Sequence, residues 1–294
     1  MLSDLEKARY ARHFLLPGWD EECQKKLKNT TVFVAGAGGT GSPTITMLAL
    51  LGVGKIRICD FDVFEESNKN RQFLHSISDE RLGMNKAMSA AKTVYSINPN
   101  VRVEYFTDKF TEDNIDDIVG DADYIFDCVD KFKYKFILAD CAVRKRIPMF
   151  FYGIMGYDFF GYIFYPPKTA CFNCLFDKEK IQKIEKLHSR SSEVAAMSPA
   201  LFSASGVMML QAVKMMLGYD EPAYNKFYFG FGKQSNVLHE RSVRGFKFWN
   251  TKYFDEKCAV QGFNWKTKDS TDLFEVLNIT GNPECPYCGN MTNR

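Results

Sequence analysis

Residues 31 to 41 read Thr-Val-Phe-Val-Ala-Gly-Ala-Gly-Gly-Thr-Gly, and this stretch limits the possible fold more than any other. A short apolar run with β-branched residues that stops at a glycine is the pattern of a parallel strand buried on both faces. Gly36, Gly38 and Gly41 then fall where a strand turns into a helix and the backbone must come close to a phosphate. An apolar helical segment from Pro43 to Leu51 follows, and Gly52 and Gly54 lead into a second strand, Lys55 to Cys59, ending at Asp60. The expected unit is therefore βαβ, with its glycines at the first turn.

The same logic continues along the chain. A helix is expected over 84 to 96, ending at Asn98-Pro99, then strands at Val101 to Phe106 and Tyr124 to Cys128, the latter just before Asp130. Apolar segments at 147 to 154 and 159 to 165 extend the sheet, and 199 to 217 reads as a core helix rich in Met and Leu. The fold class is thus α/β, a Rossmann-like doubly wound sheet continued by additional strands. With 294 residues, of which 46% are hydrophobic and 25% charged, one large core is affordable. The expected organisation is a single domain over 1–294: an N-terminal helical arm at 1–30, a nucleotide-binding core at 31–170, a crossover loop or lid at 175–198, and a C-terminal part at 199–294.

A net charge of +2 without a long basic run gives no reason to expect nucleic acid or an anionic membrane as partner. The charged start, Met1 to Lys7, argues against a signal peptide, and no apolar run is expected to reach spanning length. Nine cysteines include the two pairs Cys171-Phe-Asn-Cys174 and Cys285-Pro-Tyr-Cys288. Four thiolates suit a closed tetrahedral Zn²⁺ site with no open position, so the metal is expected to be structural and the compartment a reducing one, the cytoplasm. Cys23, Cys59, Cys128 and Cys141 read as small packed residues, whereas Cys258 lies in a polar stretch. The many aromatics of 226–265, from Phe227 to Trp265, read mainly as strand core.

The glycine loop alone says "nucleotide" and leaves the nucleotide open. Asp60 stands where a dinucleotide site places an acid for ribose hydroxyls, so an NAD-dependent oxidoreductase is one reading and a non-catalytic nucleotide-binding scaffold another. Downstream, Ser67-Asn68-Lys69-Asn70-Arg71-Gln72, Lys86 and Asp130 add charges that a dinucleotide does not require. Arg71 and Lys86 suit a triphosphate, and Asp130, beyond the end of a parallel strand, suits Mg²⁺.

In this order the residues resemble the ThiF/MoeB/HesA family, bacterial relatives of the ubiquitin-activating enzymes. The likeness runs from Arg9-Tyr10-Ala11-Arg12 through the glycine loop, Asp60-Phe61-Asp62, Asn68 to Gln72, Lys86 and Asp127-Cys128-Val129-Asp130 to both cysteine pairs. The resemblance implies that MgATP binds to Gly36, Gly38, Gly39 and Gly41 with Asp60, Asp62, Asn68 and Gln72. It implies that Asp60 holds the ribose, that Asn68, Arg71 and Lys86 hold phosphates, and that Asp130 organises Mg²⁺. Arg12 reaches the nucleotide of a neighbouring subunit, which implies a homodimer. The implied activity is adenylation of a carboxylate, on a small acid, a peptide or the C-terminus of a ubiquitin-like carrier. Two departures stand out: Asp130 is followed by Lys131 where the family usually has Asn, and the position that often carries a loop cysteine is Ser191, with no cysteine between 175 and 200.

Overall fold

The computed structural model describes residues 1–75, 82–155, 158–165, 168–176 and 196–219, the strand segments 226–230 and 274–278, and Lys178, Ile181, Cys285, Tyr287 and Cys288. His188, Ser191 and Cys258, most of the expected lid and most of the aromatic stretch lie outside these residues. Eight strands make one sheet: β1 (Thr31–Ala35), β2 (Lys55–Cys59), β3 (Arg102–Phe106), β4 (Tyr124–Asp127), β5 (Met149–Met155), β6 (Asp158–Phe164), β7 (Lys226–Gly230) and β8 (Phe274–Asn278). Their order is β3-β2-β1-β4-β5-β6-β7-β8. The first five are parallel and the last three antiparallel.

Strand alternation builds two cores from one sheet. Val32 and Val34 of β1 pack on one face with Ile56, Ile58, Phe126, Phe150 and Tyr152. Phe33 and Ala35, one residue out of phase, pack on the other with Ile125, Met149, Phe151 and Phe164. Helices α3 (Gly41–Leu51), α4 (Lys86–Ile97) and α8 (Ser198–Leu217) cover the first face; α5 (Ile115–Val119) and α6 (Phe132–Lys145) cover the second. An arm of α1 (Asp4–Arg9), the short turn His13–Leu15 and α2 (Glu21–Lys28) wraps the start of the sheet, and α7 (Phe172–Leu175) follows β6.

The helix expected from Pro43 begins at Gly41, inside the glycine loop, because the Ser42 N–H already donates to the Gly38 carbonyl at 2.9 Å. The helix expected from 84 begins at Lys86, because the Asn85 side chain caps it by accepting from the Met88 N–H at 3.1 Å. One expectation is corrected. The 20-residue helix α8 is long and apolar enough to cross a membrane. In the fold it lies on the sheet against α3, with Ala204, Met208 and Ala212 in the first core, so its apolarity is that of a central packing helix.

Between β1 and β4 the sheet reverses its direction of growth: β2 and β3 extend it one way, β4 and β5 the other. Such a switch point opens a crevice at the carboxyl ends of the strands, and ligands bind there. The loops leaving β1, β2 and β4 carry the glycine loop, Asp60 and Asp130.

Candidate nucleotide site and cysteine cluster

The glycine loop is fixed by close approach. Gly36 has φ +95°, and a Cβ there would lie 2.7 Å from the Cys128 carbonyl oxygen; a Cβ on Gly41 would lie 2.2 Å from the Gly36 carbonyl oxygen. A side chain at Gly36 would push the end of β1 off the end of β4, and one at Gly41 would push the start of α3 off the end of β1. Thr40 precedes α3 without a side-chain cap, and the positive dipole end of that helix lies at the glycine loop.

Asp60, at the exit of β2, ties the loop down. Its Oδ2 accepts from the Ala37 N–H at 2.7 Å and its Oδ1 from the Asp62 N–H at 2.9 Å. Burial pushes its carboxyl above the usual range, against the pull of those amides and of Lys86. Lys86, itself buried, pairs with Asp62 at 3.3 Å, so both sit beside Asp60 at the start of α4.

The segment 66–75 lies along the glycine loop. The Arg71 stem comes within 3.8 Å of where a Gly39 side chain would begin, and the Gln72 amide nitrogen within 3.6 Å of the same point on Gly38. Arg71 donates to the Ser67 carbonyl and to Asn70 Oδ1, both at 3.0 Å. Gln72 is buried, and its Oε1 has no hydrogen-bond partner among the described residues. Asn68 is occupied locally, its Oδ1 accepting from the Glu65 N–H at 3.2 Å. The structure thus brings Arg71 and Gln72 to the loop and gives Asn68 a turn-closing contact.

Asp130 is exposed at the mouth of β4. Behind it Lys135, on the first turn of α6, donates to both oxygens of fully buried Asp127, at 3.1 and 3.2 Å, and to the Val129 carbonyl at 2.5 Å. Burial pushes the Asp127 carboxyl up and Lys135 pulls it down. Sequence reasoning missed Lys135; an acid inside an apolar strand was the one hint that a counter-charge was needed. It also missed an aromatic group beside Asp60. Phe61 lies 5.9 Å from the Tyr134 ring, Tyr134 lies 5.1 Å from Phe110, and the Lys109 ammonium sits 4.6 Å from the Phe61 ring centre.

Arg12 is exposed in the turn after α1. Its neighbour Tyr10 packs its hydroxyl against Gly52 and accepts from Asn98 Nδ2 at 2.9 Å, which anchors the arm at the far end of α3. That helix has 11 residues, about 16 Å, which sets the Tyr10 anchor at the end of α3 opposite the glycine loop.

The sulfurs of Cys171, Cys174, Cys285 and Cys288 all lie within 4.8 Å of one another. The Cys171–Cys174, Cys171–Cys285 and Cys174–Cys288 separations are 3.8, 3.7 and 3.5 Å. A metal held tetrahedrally at Zn–S distances places sulfurs about 3.8 Å apart. Contact with Cys174 and Cys288 pushes the Cys171 thiol up, the opposite of what a cation at their centre would do. The cluster packs with Val143 and Ala170, at the end of α6 remote from Asp130. Burial pushes Cys59 and Cys141 up to about 12 and Cys128 up to about 11, as inert packed thiols require.

A glycine loop at a sheet's switch point, an acid closing the next strand and a basic segment laid over the loop define a nucleotide-binding α/β protein. The ThiF family model matches residues 10–248. HesA from heterocysts of Trichormus variabilis is 32% identical over 282 residues, covering 95% of this chain and 98% of its own. The sulfur carrier protein adenylyltransferase of Thermus thermophilus is 32% identical over 222 residues, 74% of this chain and 80% of its own. Among solved structures, PaaA superposes with TM-score 0.68 at 28% identity, covering 80% of this chain and 82% of its own. E. coli MccB with ATP gives TM-score 0.75 at 22% identity, covering 98% and 75%, a likeness of fold. The chain belongs to the ThiF family and is an adenylyltransferase of the ubiquitin-activating type.

Proposed function

We propose that the protein activates a substrate carboxylate with MgATP. A carboxylate oxygen attacks the α-phosphorus, the bond to the bridging oxygen of the β-phosphate breaks, and acyl-AMP and pyrophosphate result. The observation that carries this reading is the placing of Arg71 against Gly39 of the loop, which adds a guanidinium to a phosphate cradle and favours a triphosphate over NAD. The loop amides hold the phosphates, Asp60 the ribose and the Phe61–Tyr134 group the base. Arg71 and Lys86 offset charge on the leaving pyrophosphate, and Asp130 orients the metal. Mg²⁺, when bound, neutralises charge on the phosphate oxygens.

The acid is a small molecule, a peptide or a carrier C-terminus. The T. thermophilus relative is named for a sulfur carrier, and MccB structures contain the peptide MccA. With serine at 191 and no cysteine from 175 to 200, the adenylate passes directly to its acceptor, without a thioester on that loop. Zn²⁺ is assigned to the four-cysteine cluster on the sulfur spacing and donor set, and a reducing, cytoplasmic setting suits cysteines that are all free among the described residues. A homodimer is supported by exposed Leu50 on α3 and Phe202 and Leu210 on α8, and by an exposed Arg12 on an arm anchored at the end of α3 opposite the loop.

ATP–pyrophosphate exchange with candidate acids tests the activity. Exchange that depends on an acid and is lost in Asp130→Ala, with folding retained, is expected; hydride transfer to NAD instead, or full exchange in that variant, overturns the reading.

A further inference from the structure

One histidine does work at the loop that neither the glycine pattern nor the charged cluster includes. His75 is fully buried, and its Nε2 lies 2.7 Å from the Ala37 carbonyl oxygen. A carbonyl only accepts, so Nε2 carries the proton. It reaches the loop from the segment that also delivers Arg71 and Gln72, and the Phe64 ring, 5.2 Å away, packs beside it.

Ala37 is therefore held at both ends by side chains from two other elements: its N–H by Asp60 and its C=O by His75. In a planar trans peptide, C=O and the following N–H point in opposite directions. A carbonyl of Ala37 held by buried His75 therefore turns the Gly38 N–H away from that ring. The next residues, Gly38 and Gly39, have no side chains to restrict their own dihedrals, and a loop this free would lose entropy on ordering around an anion. We propose that His75 is a positioning residue for nucleotide binding: its Nε2–H fixes the Ala37–Gly38 peptide so that the Gly38 amide is already aimed at a phosphate. The inference rests on the nucleotide reading of this site.

The test is calorimetric titration of the full chain with the Mg²⁺ complex of α,β-methylene ATP, which binds without being split and needs no acid substrate. The stoichiometry reports the folded fraction, and the Kd reports the site independently of it. His75→Phe keeps a ring beside Phe64 and removes the donor; His75→Leu serves where the phenylalanine variant does not fold. His75→Gln returns an N–H at similar reach. The donorless variants should bind roughly tenfold more weakly, near the upper range for one net hydrogen bond, and His75→Gln within about threefold of the unaltered chain. A donorless variant with lowered melting temperature and stoichiometry but unchanged Kd overturns the inference and makes His75 a purely structural residue. Equal weakening by His75→Gln overturns it as well. If the unaltered chain does not bind the analogue, the nucleotide reading fails, and this inference with it.

Discussion

Replacing Lys135 by methionine tests the electrostatics behind Asp130. The ammonium donates to both oxygens of a carboxylate whose side chain is 0% exposed, and the lysine side chain itself is only 8% exposed. Solvent screening of the pair is therefore slight. Methionine keeps an unbranched stem in place of the lysine, whose ammonium also lies 5.2 Å from the Phe151 ring centre, and leaves Asp127 as a buried charge without its counter-ion, a change that costs about 3 to 5 kcal/mol. Against a typical total of about 5 to 15 kcal/mol this is a large fraction. Urea unfolding followed by fluorescence should show the midpoint falling by about 1 to 2 M. The loss should also depend on pH. Without the lysine, the folded pKa of Asp127 rises further above its unfolded value of about 3.9, because desolvation is then opposed only by the Val129 amide. A folded pKa above the unfolded one means stability that is present at low pH and lost as pH rises through the folded value. The variant's deficit should thus be smaller near about pH 5 than near about pH 8. Asp127→Asn combined with Lys135→Met should recover more than half of the loss. A deficit under about 1 kcal/mol, equal at both pH values, would refute the reasoning.

The cysteine cluster predicts one zinc per chain by metal analysis. Cys285→Ser should lower both the metal content and the melting temperature, by several degrees or more, while a chelator should do the same to the unaltered chain and leave the variant's melting temperature little changed. The arm predicts complementation between subunits: Arg12→Ala and Asp130→Ala chains, each inactive in exchange, should regain up to about a quarter of full activity when mixed and allowed to re-associate, the share expected if one site of a random heterodimer is intact. A monomer by light scattering, or no recovery, counts against Arg12 acting across an interface.

What could be read from the sequence follows the range of the interaction. β1 is legible as an apolar run closed by a glycine, and β2 as an alternation of Ile56 and Ile58 with Lys55 and Arg57 closed by an acid, because both patterns lie in the strand's own residues. Arg71 and Gln72 were legible as a group because they adjoin one another in the chain, although nothing in their order said that they touch Gly38 and Gly39. His75 was not legible, because it acts on the backbone carbonyl of Ala37, and a carbonyl leaves no mark in a sequence. Asp127 hinted that a counter-charge was needed, but nothing in the sequence named Lys135 as its source. The order of the last three strands depends likewise on contacts between segments far apart in the chain. Asn68 shows the reverse limit: its residue type suits a phosphate, yet its side chain caps the turn that holds it.

The four sulfurs also impose a timetable. Each contact between the two pairs joins residues 114 positions apart, so at about 5 to 20 residues per second the ribosome needs roughly 6 to 23 s between the first pair and the second. During that interval Cys171 and Cys174 are a half-site: two thiols, open to oxidation or to capture by a passing metal, at the edge of a sheet whose parallel part is already made. Whatever holds them reduced and unoccupied then matters to the yield of folded chains as much as any contact in the finished molecule.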